Sequence, residues 1–159
     1  MSVTDELIRA NESYAASFDK GDLPVPPGKR VAVVACMDAR LIPTKALGLE
    51  EGDAHVIRNA GGLAKDALRS LVISQQLLGT QEVVILHHTE CGMLGFKNED
   101  LYEKLGDEAR EIDFLPFSDL EQSVRDDVRF LKDSPLVPDE VSIRGFVYDV
   151  KTGRVAEVS

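Results

Sequence analysis

The stretch VAVVACMDAR, residues 31–40, decides how this chain folds. It begins as a short β-branched run, Val31 to Ala35, of the kind that lies buried on both faces of a parallel sheet. It then turns polar at Cys36, Asp38 and Arg40, residues that a strand within a core does not require. The same succession recurs downstream, where the apolar run Val83 to Leu86 leads into His88-Thr89-Glu90-Cys91. A third candidate strand, Ala54 to Arg58, leads into Asn59-Ala60-Gly61-Gly62. Between the strands the pattern is helical. Pro43 suits the first turn of a short helix to Leu49. Ala64, Ala67, Leu68, Leu71, Val72, Gln75 and Leu78 trace one face of a longer helix that stops at Gly79. Strands alternating with helices predict an α/β domain with a mainly parallel sheet of about four strands flanked by helices. Ligands of such sheets collect at the carboxyl ends of the strands, and all three polar clusters fall on that rim.

Outward from this centre, Leu94 to Leu131 carries helical material broken near Pro116. Val141 to Val150 and Arg154 to Val158 predict a C-terminal antiparallel hairpin around Lys151-Thr152-Gly153. At the other end, Val3, Leu7, Ala10, Tyr14 and Phe18 recur at helical spacing behind a cap at Ser2 or Thr4. The expected organisation is a single domain over residues 1–159, with a helical arm (1–20), a proline-rich linker (21–30) and a core (31–159). An apolar stripe on an arm held off by a stiff linker must be buried, either on its own sheet or on a neighbouring subunit.

Composition is that of an ordinary globular protein, 43% hydrophobic and 29% charged. The net charge of −10 is local, because 14 acidic and 5 basic residues lie between Asn98 and Glu140, as on a solvated helical face. There is no basic stripe for nucleic acid and no run of about 20 apolar residues for a membrane. The first twenty residues carry Asp5, Glu6, Arg9, Glu12 and Asp19 and lack the apolar centre of a signal peptide. A cytoplasmic location is therefore expected, and there two cysteines bind metal or react rather than form a disulfide.

Cys36, His88 and Cys91 offer two thiols and an imidazole, a ligand set whose first candidate is Zn2+. Three protein ligands leave a position for water, as in catalytic zinc sites, so zinc-bound hydroxide is the expected nucleophile. Asp38 has two possible parts. It closes the site as a fourth ligand, or it pairs bidentately with Arg40, stays off the metal and orients or gates the bound oxygen. Along an extended chain Asp38 and Arg40 share one side with Cys36. Asn59, Gly61 and Gly62 form either a tight strand-to-helix turn or an anion cradle in the substrate pocket. His55 and His87 fit packing or exposure better than proton transfer, and Arg58 either attracts an anion or pairs with an acid. Cysteine-phosphatase chemistry is set aside, since the positions for its arginine hold Ile42 and Lys97.

The blocks VAVVACMDAR, HVIRNAGG and HHTECGM resemble, in order and spacing, the three signature blocks of the β-class carbonic anhydrases. The resemblance implies a parallel-sheet fold with zinc held by Cys36, His88 and Cys91. It implies an Asp38–Arg40 dyad that gates and orients, and reversible hydration of carbon dioxide to bicarbonate and a proton. It also implies a homodimer, or a higher assembly of dimers, in which the helical arm embraces its partner. Pro27 stands where plant-like members place a substrate-binding glutamine, so the chain looks closer to the compact, archaeal-like branch; His87 stands where glycine is common. That branch includes hydrolases of carbonyl sulfide or carbon disulfide, which makes such a reaction on the same zinc the alternative activity. A non-catalytic zinc or anion-binding domain is the alternative outside catalysis.

Overall fold

Five strands form one sheet in a computed structural model that describes residues 1–159: β1 (Val31–Cys36), β2 (Ala54–Asn59), β3 (Glu82–His88), β4 (Ser142–Tyr148) and β5 (Val155–Glu157). Their order is β2-β1-β3-β4-β5, parallel throughout except for the final β4–β5 pair. The expected parallel sheet with a C-terminal antiparallel strand is therefore present. From β1 the chain moves to one side to build β2, then returns past β1 to build β3. The strand order reverses between β1 and β3, the place where open α/β sheets bind ligands. Val34 pairs with Ile57 on one side and Ile85 on the other, so β1 and β3 end side by side.

The helices are α1 (Val3–Ala16), α2 (Pro43–Leu47), α3 (Ala64–Gln76), α4 (Asn98–Leu105) and α5 (Leu120–Lys132). The acidic segment thus resolves into α4, a 3-10 turn at Asp107–Glu111 and α5, with Pro116 in the loop that separates them. One sheet face is covered by α3 and α5, where Ala32, Val34, Val83 and Ile85 pack with Ala67, Leu71, Val128 and Leu131. On this face a Cβ at Gly145 would stand 2.4 Å from the Val124 side chain, so α5 crosses β4 where the strand has no side chain. The opposite face is a smaller cluster of Val33, Ala35, Leu41 and Leu86, backed by Leu47, Phe146 and Tyr148.

Ser2 and Asp5 form a capping box that starts α1. None of the α1 residues is buried, and Val3, Leu7, Ile8, Tyr14 and Phe18 stay exposed. The arm is tied to the core through Glu51, which accepts from Tyr14 and pairs with Lys20. Its apolar stripe is not covered by its own sheet. No helix is long and apolar enough to cross a membrane.

Candidate metal centre

Cys36 is the last residue of β1 and His88 the last of β3, and Cys91 returns to them through the two-residue turn Thr89-Glu90. The turn is made by Glu90 in the left-handed region (φ 54°), a conformation that costs a non-glycine residue about 1–2 kcal/mol. Thr89 holds it in place, since its amide donates to the Tyr148 carbonyl and its hydroxyl accepts from the Val150 amide. All three side chains are buried, and their ligand atoms lie within 4.8 Å of one another.

The two sulfurs stand 3.9 Å apart. Two thiolates on a tetrahedral zinc, with bonds of about 2.3 Å, stand about 3.8 Å apart, so the sulfurs are already spaced for one ion. His88 is fully buried, and its Nδ1 lies 2.8 Å from the Thr89 carbonyl. A carbonyl only accepts, so Nδ1 carries the proton and Nε2 presents its lone pair, the usual arrangement of a metal-binding imidazole. That Nε2 is buried without a hydrogen-bond partner. An orphaned polar atom in a folded core calls for a ligand, and here it faces two thiols. The cluster can hold a metal ion.

The thiols are electrostatically unequal. The neighbouring Cys91 thiol, then His88 and the backbone amides of Asp38 and Gly61, stabilise the Cys36 thiolate against burial and move its pKa well down. Cys91 is pushed up, first by the Cys36 beside it and then by burial.

Asp38 and Arg40 meet, but not along an extended chain. The strand stops at Cys36, and the Asp38 side chain then takes the Arg40 amide (2.8 Å) while Leu41 donates to the Asp38 carbonyl (3.1 Å). An aspartate past a strand end captures the amide two residues on, and the chain turns. The turn brings Arg40 round so that Nε lies 3.0 Å from Oδ1 and Nη2 lies 2.8 Å from Oδ2. The Arg40 guanidinium, then its amide, holds the Asp38 carboxyl well below the usual carboxylate range. Arg40 is itself braced by the Glu90 carbonyl at 3.0 Å. Asp38 Oδ2 remains 3.7 Å from His88 Nε2, at the edge of the cluster.

Arg58 pairs with no acid. Its guanidinium donates to the carbonyls of Cys36, Asp38 and Leu41 at 2.7–3.0 Å and so fixes the loop that carries the dyad. Gly61 and Gly62 are both buried in the turn between β2 and α3. The amides that follow them are already used: Leu63 donates to the Asn59 side chain and Ala64 to Asp127. His55 packs against Ser74 and lines a cavity of about 540 Å³ between β2 and α3 that shares no residue with the cluster. His87 is buried and hydrogen-bonded to Asp127 and Ser123. The sequence reading missed this last group, although an acid among the apolar positions of α5 (Val124, Asp127, Val128, Leu131) was a signal.

Comparison with known proteins gives a consistent result. A family model described as carbonic anhydrase matches residues 31–113, a span that contains the whole cluster and the dyad. β-Carbonic anhydrase 1 of Mycobacterium bovis is 48% identical over 100% of this chain and 99% of its own length. A carbonic anhydrase structure from Glaciozyma antarctica superposes with a TM-score of 0.94 at 51% identity, covering 100% of both chains. A carbon disulfide hydrolase of Acidithiobacillus thiooxidans is more distant, at 32% identity over 98% of this chain and 90% of its own.

Proposed function

This chain belongs to the β-carbonic anhydrase family, and we propose that it hydrates carbon dioxide reversibly at a zinc ion held by Cys36, His88 and Cys91. The observation that carries the reading is the buried, unpartnered His88 Nε2 facing two thiols spaced for one ion. Zinc in this position supplies Lewis acidity that activates water near neutral pH. The chain's own residues do the remainder. Asp38, kept ionised and off the metal by Arg40, accepts a hydrogen bond from the attacking water and turns an oxygen lone pair toward the substrate carbon. Arg40, braced by the Glu90 carbonyl, keeps that carboxylate in one orientation. Gly61 and Gly62 belong to the substrate pocket beside Cys36, where Leu63, Met93 and Phe117 give Gly61 apolar neighbours suited to an uncharged linear molecule.

The exposed stripe of α1 supports a homodimer in which each arm lies on the partner, and a single domain of core, linker and arm. Two thiols that must stay reduced to bind metal suit the cytoplasm. Carbon disulfide hydrolysis is not favoured, since the relative of that name is 32% identical against 48% for a carbonic anhydrase. A permanently closed, non-catalytic site is not favoured either, because both Asp38 oxygens are taken by Arg40.

Metal analysis and stopped-flow hydration test the proposal together. Purified protein should carry about one zinc per chain and hydrate CO2, with carbonyl sulfide and carbon disulfide turned over poorly. Protein isolated with both thiols free and no zinc would end the metal reading. Loaded protein that consumes carbon disulfide but not CO2 would replace the substrate.

A further inference from the structure

Behind the metal-binding rim a polar group is enclosed in apolar packing. His87 is 1% exposed, and as the neighbour of His88 on a strand it projects to the opposite face of the sheet. Its Nε2 lies 2.9 Å from Asp127 Oδ2 and 3.1 Å from the Gly62 carbonyl. Carboxylate and carbonyl oxygens both accept, so Nε2 carries the proton and serves both. Nδ1 meets the Ser123 hydroxyl at 2.8 Å, and Phe117 stacks on the ring. Asp127 Oδ2 also takes the Ala64 amide at 3.0 Å. Two of these bonds bracket the short turn after β2, one on Gly62 within it and one on Ala64, the first residue of α3. That turn leans directly on a metal ligand: a Cβ at Gly62 would stand 2.6 Å from the Cys36 nitrogen and 2.7 Å from the Ala35 carbonyl carbon.

We propose that His87 and Asp127 are positioning residues for the metal, clamping the Gly61–Gly62 turn against Cys36 so that its sulfur stays in ligating geometry. The inference rests on the zinc reading above. A buried polar pair of this kind adds little to stability compared with apolar packing, whereas groups that orient metal ligands from behind typically contribute tenfold or more in metal affinity. The clamp joins three elements, the end of β3, the turn before α3 and α5.

The test follows zinc transfer from loaded protein to a coloured chelator, with the melting temperature of each variant recorded alongside. Asp127→Asn should release zinc about tenfold faster or more, while His87→Gln, which keeps a donor near the Nε2 position, should stay within about threefold of the parent. Val128→Ala, a core change on the same helix, should lower the melting temperature without altering release. Should Asp127→Asn fail to fold, Ser123→Ala removes one hydroxyl of the clamp and should accelerate release measurably. Release at the parent rate in Asp127→Asn, or in Ser123→Ala where that variant stands in, overturns the proposal. So does a release rate that follows melting temperature equally in Asp127→Asn and Val128→Ala. A parent protein that never binds zinc is a separate failure, that of the metal reading itself.

Discussion

Replacing Gly62 with alanine isolates how closely the turn after β2 fits the strand that ends at Cys36. The residue has φ +66°, and its missing Cβ would lie 2.6 Å from the Cys36 nitrogen and 2.7 Å from the Ala35 carbonyl carbon. Gly48, the C-cap of α2, is the internal control, because its φ is +65° and nothing lies within 4 Å of its Cβ position. Both substitutions carry the left-handed penalty of about 1–2 kcal/mol, and both gain the same restriction of the unfolded chain. Only Gly62→Ala adds overlap with backbone, which cannot rotate away. Overpacking of this kind costs about 1–3 kcal/mol. The total is about 2–5 kcal/mol against about 1–2 for the control, a large share of a domain stability of about 5–15 kcal/mol.

At about 2–4 °C per kcal/mol for a domain of this size, Gly62→Ala should melt about 2–12 °C below Gly48→Ala in the metal-free state. The overlap falls on Cys36 itself, so Gly62→Ala should also lose zinc during purification while Gly48→Ala keeps it. The assays are calorimetry on stripped protein and metal analysis on the protein as isolated. Equal melting temperatures together with equal zinc content would refute the claim that this turn sets the position of Cys36.

Stripped protein treated with iodoacetamide near pH 7 should alkylate quickly at Cys36, whose thiolate is favoured, and slowly at Cys91, whose thiol is pushed up, as mapped by mass spectrometry; equal rates would contradict the assigned asymmetry. Asp38→Ala should lower CO2 hydration about a hundredfold or more while retaining zinc, and an unchanged rate would make the dyad structural. Arg40→Gln removes the main cause of the depressed Asp38 pKa. A carboxyl with a native pKa below its unfolded value stabilises fully above the ordinary aspartate range, and loses that contribution as pH falls through the native value. The melting-temperature gap between parent and Arg40→Gln should thus be small for an exposed pair, constant from about pH 6 to 8, and narrower below about pH 4; a gap that widens on acidification would contradict it. Leu7→Asp combined with Ile8→Asp should reduce the sedimenting mass without loss of helical signal, because both side chains lie on the uncovered arm; a parent that sediments as a monomer would remove the arm exchange.

What could be read from the chain in advance depended on whether a feature was local. β1, β3 and their polar ends were legible because a buried parallel strand is written as an unbroken apolar run, and the cluster follows from where those runs stop. The Asp38–Arg40 pair is legible as a pair, but its path is not. Spacing implies an extended chain, whereas the carboxylate takes the Arg40 amide and bends the chain at once. Asp127 on the buried face of α5 was visible as an anomaly, yet its partner His87 lies 40 positions earlier. Their meeting depends on α5 settling on β4 at Gly145, where the strand gives way to the helix. Arg58 shows the same limit, since its three acceptors are backbone carbonyls, which every residue has and no composition distinguishes. Ligands that sit where apolar runs stop leave a local pattern in sequence; side chains that hold backbone, or that meet a partner far along the chain, leave almost none. Arg58 is of the first of these silent kinds, and His87 with Asp127 combines both, so the ligands are readable from the sequence while the groups behind them required the fold.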